Sequence, residues 1–276
     1  MKKVILSILT VVLMTGTSFA ATWVAADRVA PVGKVVVEKN GLPAKTTFKV
    51  VNGAVDNSMV STTNVIQISS TDLTYAGNDN EVAAVIVSEI GQIVNGKYAK
   101  DKFRTAAKTA IAEKLGTANL INAAANSEYI ASKTSLGDMK VADMTGIDLM
   151  VNAGYNPLAM VVVITKHPGS NLEIIMGKPA NSERAMNAFN YITYNYPDKI
   201  KVGYGCQEYK NFLAYSDPIV QKRNKSKSAL KKFNKEQEKA KSLRAKSLAQ
   251  YKTTGGLNSW DATYAILNEL SGENKK

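Results

Sequence analysis

The segment from Asn80 to Val94 combines an apolar run with one interior carboxylate, and it constrains the fold more than any other part of the chain. Its apolar residues recur at intervals of three and four, which predicts a helix with a broad apolar stripe. Asn78 or Asn80 can cap this helix, and Glu81 is favourably placed in its first turn. The stripe contains Val82, Val85, Ile86, Glu89, Ile90 and Ile93. We therefore expect Glu89 to face the core or a cleft, where a carboxylate needs a partner.

The residues around Glu89 have the spacing of a zinc-protease helix from which both histidines are missing. In the H-E-x-x-H pattern, two histidines on one helix face ligate a Zn²⁺ ion while the glutamate activates water. Ser88 and Gln92 stand at the two histidine positions of this chain. Because a hydroxyl and an amide are poor zinc ligands, we expect neither a metal nor another cofactor at this helix.

From about Val32 to Pro197 the chain resembles the gluzincin zinc metallopeptidases, which include the CAAX prenyl endopeptidases, the HtpX heat-shock protease and the BepA-type proteases. Residues 142–150 read A-D-M-T-G-I-D-L-M and residues 153–157 read A-G-Y-N-P, similar to the family's E-x-x-A-D helix and A-G-Y-x-P turn. The resemblance implies an α+β, mainly α, zincin-like domain with a small β-sheet. It also implies a peptide-binding edge strand, formed by Asn57, Ser58, Met59 and Val60.

The same resemblance assigns further positions around the former metal site. Met139 stands where the family has its third zinc ligand, a glutamate, and Asp143 matches an aspartate that orients a ligand. Residues 178–184 correspond to a further family motif, H-P-x-x-x-x-R. Lys178 replaces its histidine, which is regulatory or transition-state stabilising in some relatives, and Arg184 matches its arginine. The resemblance therefore implies that Glu89, the family's general base, is retained without the ligands that would make it catalytic.

Glu89, Asp143 and His167 each have alternative interpretations that follow from their chemistry. A buried Glu89 needs a cation, for which Lys178 is the candidate, or it stays protonated. Asp143 either orients a ligand or forms a salt bridge with Arg184. His167 is the only histidine of the chain, and the proline and glycine after it predict a solvated loop position at the end of a helix, with a ligand or pH-sensing role as the alternative.

Short β-branched runs separated by polar breaks predict a small sheet, formed by residues 46–51, 57–61 and 65–69. The remainder is predicted to be mainly helical. The further predicted elements are helices over residues 102–115 and 119–131, a loop over 133–138, a helix carrying Asp143 through Val151, and a terminal helix over 260–270.

The first residues of the chain have the composition of a secretory signal peptide. Lys2 and Lys3 precede an apolar run over residues 4–14, and small residues surround Ala20. We expect cleavage after Ala20, with an uncleaved anchor as the alternative. The protein is therefore predicted to be exported to the periplasm or the cell exterior, either free or peripheral on the membrane.

Residues 222–252 carry twelve basic and two acidic side chains, a net charge of +10 out of +12 for the whole chain. Without proline or glycine and with an imperfect apolar stripe that includes Leu230 and Phe233, the segment predicts a helix. Both a solvated helix packed on the domain and a helix attached to an anionic membrane surface fit this pattern. The predicted export disfavours nucleic acid as a partner.

These features predict a signal peptide over residues 1–20, a metallopeptidase-like domain over 21–202 and a basic helical extension over 203–276. The predicted function is that of an exported, catalytically inactive homologue of a zinc metalloendopeptidase that binds a peptide or scaffolds envelope proteins. One alternative is an active metalloendopeptidase with an unconventional site built from Glu89, Asp143, Gln92 and a partner chain. The other is an anionic-surface-binding protein that acts through its basic tail.

Overall fold

The computed structural model of the chain describes residues 22–53, 55, 63–94 and 136–253. The described part is mainly helical with one small parallel sheet, which confirms the predicted mainly α class. Several predicted elements lie outside the described residues, namely the signal peptide, the edge strand Asn57–Val60, and the helices over residues 102–131 and 260–270.

Strand β1 (Thr47–Val51) and strand β2 (Val65–Ser69) pair in parallel, with Thr47 opposite Val65 and Val51 opposite Ser69. The helices in chain order are α1 (Ala25–Asn40), α2 (Ser70–Leu73), α3 (Asp79–Val94), α4 (Leu136–Ala153), α5 (Leu158–Lys166), α6 (Asn171–Ile175), α7 (Ser182–Asn195), α8 (Pro197–Val202), α9 (Gln207–Lys225) and α10 (Lys227–Thr253).

Helix α3 lies at the centre of the described core and contacts α1, α4, α5 and strand β2. The predicted apolar stripe of this helix is buried along its whole length, and Glu89 is buried with it. The prediction for the central helix is therefore confirmed, including the inward direction of its carboxylate.

The beginning of α3 is closed by a capping arrangement around Asn78, which confirms the first of the two predicted caps. The Asn78 side-chain oxygen accepts a hydrogen bond from the Glu81 backbone N–H at 3.2 Å. The Glu81 carboxylate in turn accepts from the Gly77 backbone N–H at 2.7 Å. The first of these hydrogen bonds satisfies a backbone donor of the first helical turn, and the second ties the residue before the cap to the helix.

Helices α3 and α4 approach each other closely because small residues lie at their contact. A Cβ atom added to Gly91 would overlap the Ala142 carbonyl oxygen, and one added to Gly146 would lie 2.9 Å from a Val87 methyl group. The separation of packed helices depends on the side chains between them. This close contact brings Asp143 of α4 next to Ser88 of α3.

Two parts of the fold differ from the sequence-based prediction. Helix α1 was not predicted, although Val29, Val32 and Val36 follow helical spacing and are buried against the core. The loop predicted over 133–138 is wrong at its C-terminal end, because α4 already begins at Leu136. Asp138 lies in the first turn of α4, where a carboxylate is favoured by the helix dipole.

The C-terminal helices pack on the body through aromatic side chains. Phe212 of α9 is fully buried, and its ring meets the Phe189 ring edge-on at a centroid distance of 5.3 Å. Phe233 of α10 meets the Tyr194 ring at 5.9 Å. The predicted packing of the basic helix on the domain is therefore confirmed at Phe233. Among the helices described, none combines the length and apolar character needed to cross a bilayer.

Candidate functional site

A cavity of about 170 Å³ opens beside the middle of α3. Apolar side chains of α3 and α5 form part of its wall, and its polar lining consists of Asp72, Ser88, Glu89, Gln92, His167 and Arg184. Pockets for whole small molecules are larger, about 300–1,000 Å³. The size of this cavity therefore suits a single side chain or a comparably small group.

Arg184 is the central cation of the site. Its Nε donates to Asp143 Oδ2 at 2.6 Å and its Nη2 donates to Asp143 Oδ1 at 2.7 Å, a bidentate pair. The same Nη2 also donates to the Ser88 hydroxyl oxygen at 3.2 Å. Asp143 is completely buried, so this ion pair is shielded from water on the carboxylate side. The salt-bridge interpretation of Asp143 is therefore confirmed.

Burial of Arg184 would by itself lower its pKa, but the hydrogen bonds and charge of Asp143 raise the pKa above its ordinary value. The charges of Glu89 and Asp72 act on this pKa in the same direction. The guanidinium is therefore permanently charged, and Glu89 lies within its electrostatic field.

Glu89 is only 8 % exposed, and its Oε1 accepts a hydrogen bond from the Gln92 side-chain nitrogen at 3.2 Å. The positive charge beside it comes from Arg184 and not from Lys178, the candidate from sequence. Lys178 lies in the turn between α6 and α7, where its backbone N–H donates to the Glu173 carbonyl oxygen. Lys178 does not line the cavity.

The residue at the third ligand position that the resemblance predicts is also separate from the cavity. Met139 lies on α4, one helical turn before Asp143, and it is not part of the cavity lining. Of the residues that the sequence assigned to the site, the cavity thus gathers Ser88, Glu89, Gln92 and Arg184. Asp143 lies directly behind Arg184.

The prediction of a solvated loop position for His167 is wrong. The residue does follow the last turn of α5, as expected, but its side chain is only 25 % exposed and lines the cavity. Its ring lies 4.5 Å from the Tyr75 ring, and its Nδ1 lies 3.9 Å from Asp72 Oδ1. Burial lowers the pKa of His167, although the nearby Asp72 carboxylate opposes this effect. Burial therefore favours the neutral form of the imidazole.

Sequence reasoning missed Asp72 as well as the true position of His167. Asp72 belongs to the short helix α2 directly after β2, and Tyr75 follows in the next turn. Asp72 follows the end of a predicted strand, which is a common place for polar side chains. Its position in the sequence does not show which distant helix its side chain contacts. The contact with His167 depends on the tertiary fold.

The side chains at the three positions that the resemblance assigns to zinc ligands do not fit a catalytic zinc ion. Such a site uses three nitrogen, sulfur or carboxylate ligands in a tetrahedral arrangement. Here the corresponding groups are a hydroxyl, an amide and a thioether, and the hydroxyl already accepts a hydrogen bond from Arg184. Over residues 22–53, 63–94 and 136–253, no group of three His, Cys, Asp or Glu side chains is placed to hold a metal ion.

Comparison of the chain with protein-family models, with curated proteins and with solved structures gives no match. The gluzincin resemblance therefore depends on the sequence motifs alone.

Proposed function

We propose that this protein is an exported, noncatalytic relative of the gluzincin zinc metallopeptidases that binds a peptide or scaffolds proteins of the cell envelope. The observation that supports this proposal most is the chemistry of the three positions that the resemblance assigns to zinc ligands. Ser88 and Gln92 carry a hydroxyl and an amide, the Ser88 hydroxyl accepts a hydrogen bond from Arg184, and Met139 does not line the cavity. The Arg184 guanidinium supplies positive charge near Glu89 without a metal ion.

The chemistry of the cavity explains why such a protein would not hydrolyse peptides. In a metallopeptidase the metal polarises the peptide carbonyl and lowers the pKa of the attacking water. A guanidinium carries positive charge but has no open coordination position for water. Glu89 beside Arg184 is thus a retained carboxylate without the group that would activate its nucleophile.

Peptide binding is supported by the size and lining of the cavity. About 170 Å³ admits one side chain, and the wall offers both apolar groups and hydrogen-bonding groups. An extended peptide would place one of its side chains in this cavity. The edge strand that the resemblance predicts at Asn57–Val60 lies outside the described residues.

A peptide library screened against the full mature chain tests the proposal. We expect peptides to bind without cleavage, and we expect binding to fall at least about tenfold in Gln92→Trp, whose indole would fill the cavity. Gln221→Trp, at an exposed position of α9, is the matched control and should bind normally. Binding is measured by fluorescence polarisation and cleavage by mass spectrometry. Turnover that disappears in Glu89→Gln would refute a noncatalytic role, and unchanged binding by Gln92→Trp would refute recognition at the cavity.

The proposed ancestry has a separate test. A variant combining Ser88→His, Gln92→His and Met139→Glu restores the three ligand types at the family spacing. If the frame is that of a zincin, this variant should bind one zinc ion per chain by calorimetry, with Ser88→Ala as the control. Failure of a folded variant to bind zinc would mean that α3 and α4 are not arranged as in the family.

A further inference from the structure

Helix α10 has two chemically different sides. One side is attached to the body of the protein by Phe233, whose ring contacts Tyr194 and lies 3.7 Å beneath the guanidinium carbon of Arg223. The Tyr194 hydroxyl donates a hydrogen bond to Glu238 at 2.6 Å, and Gln237 is buried. These contacts fix the rotation of the helix about its own axis.

The opposite side of α10 is a row of lysines. Lys231, Lys232, Lys235 and Lys239 are all exposed. At 100° per residue they fall within an arc of about 100° directly opposite Phe233 and Gln237, and they extend over about 12 Å of the helix. We call these four residues the lysine face. Because Phe233 anchors the other side, the lysine face points away from the protein.

Little negative charge opposes the lysine face. Of the two acidic residues in this part of α10, Glu238 is engaged by Tyr194. Glu236 lies 4.0 Å from Lys232, and both side chains are largely exposed to solvent. Exposed ion pairs of this kind are weak. The lysine face therefore keeps a concentrated positive charge that the fold itself does not use.

We propose that the lysine face attaches the protein to a membrane surface rich in anionic lipid. The electrostatic attraction of such a surface decays within a Debye length of about 8 Å, so only outward-pointing charges contribute. A row of lysines on one straight helix can approach a flat surface simultaneously. Nucleic acid carries the same negative charge, but the predicted signal peptide predicts export, which disfavours nucleic acid as the partner.

Vesicle binding by the full mature chain tests this proposal. Vesicles of phosphatidylglycerol with phosphatidylcholine should bind the protein, with affinity falling as salt is added, and vesicles of phosphatidylcholine alone should not. Replacing the four lysines of the lysine face by glutamine should weaken binding about fivefold per residue, several hundredfold in total. Binding is measured by co-sedimentation, and circular dichroism checks that the variant is folded.

A matched control separates the lysine face from general charge. Lys34, Lys39, Lys45 and Lys49 are exposed lysines on α1, β1 and the connection between them, and their replacement by glutamine removes the same net charge. This control variant should lose far less affinity than the lysine-face variant. Equal losses in the two variants would overturn the proposal, as would salt-independent binding. Tighter binding to duplex DNA than to anionic vesicles would identify nucleic acid as the partner of the lysine face and would also overturn the proposal.

Discussion

Helix α3 carries two buried carboxylates whose surroundings differ. Glu81, near its start, accepts hydrogen bonds from the Gly77 backbone, from Lys166 Nζ at 2.8 Å and from the Tyr204 hydroxyl at 3.0 Å. Glu89, in the middle of the helix, borders a cavity and lies in the field of Arg184, whose own hydrogen bonds go to Asp143 and Ser88.

The difference separates a carboxylate that joins three segments of the fold from one that lines a cavity. Glu81 joins the start of α3 to the end of α5 and to the segment before α9, so its charge is part of the tertiary structure. Glu89 lines a cavity whose wall contains Arg184, and Arg184 forms a buried ion pair with Asp143. This ion pair therefore stabilises the wall of the cavity.

The largest effect is expected from breaking that internal ion pair. Arg184→Met should destabilise the protein by about 3–5 kcal/mol, because it leaves the fully buried Asp143 without its cation. Chemical denaturation measures the free energy of unfolding. The double variant with Asp143→Asn should regain part of the loss, since it removes the uncompensated charge. A decrease in the free energy of unfolding of less than about 1 kcal/mol for Arg184→Met would show that the fold does not depend on this ion pair.

A smaller loss is expected at the other carboxylate. Glu81→Gln should cost about 1.5–3 kcal/mol, because it removes the charged acceptor of Lys166 and weakens the cap of α3. Lys166→Met is the companion variant and should destabilise through the same pair. If Glu81→Gln leaves the free energy of unfolding in urea unchanged, Glu81 does not stabilise the fold more than Glu89 does.

A still smaller effect concerns pH. Burial holds the pKa of His167 below its ordinary value of 6.5, so its contribution to stability is fully present above that value and is lost as pH falls through the folded-state pKa. We expect the free energy of unfolding to decline below about pH 6.5, and His167→Gln to flatten this decline. Chemical denaturation at several pH values measures how steeply the free energy of unfolding falls with pH. If this dependence is the same in His167→Gln, other groups cause the acid sensitivity.

The smallest effect is expected for Glu89→Gln. The amide has the same shape, and Arg184 keeps its bidentate pair with Asp143 when the Glu89 charge is removed. The free energy of unfolding should therefore change by less than about 1 kcal/mol. A destabilisation as large as that of Glu81→Gln would mean that Glu89 is as structural as its neighbour.

The sequence was most informative where one helix determines the answer. The spacing of Val82, Ile86 and Glu89 was sufficient to predict a buried carboxylate on α3. The cap was predicted as either Asn78 or Asn80, and the structure shows that it is Asn78. The pair of Asp143 with Arg184 was predicted as one of two alternatives, since opposite charges in a shared core have few other partners.

The remaining parts of the site depend on contacts between distant segments. Nothing local to His167 shows that Tyr75 and Asp72 cover its ring, and nothing local to Lys178 shows that Arg184 is the cation beside Glu89 instead. The parallel pairing of β1 with β2 is also set by tertiary contacts, because the β-branched pattern of each strand fits either direction. Helix α1 carried a recognisable valine spacing but no motif that drew attention to it.

Zinc titration of the mature, metal-stripped protein by isothermal calorimetry tests the central claim most directly, namely that Arg184 and not a metal balances the carboxylates of this cavity. We predict no stoichiometric zinc binding by the unmodified chain. One zinc ion per chain, lost in Gln92→Leu, would contradict the account.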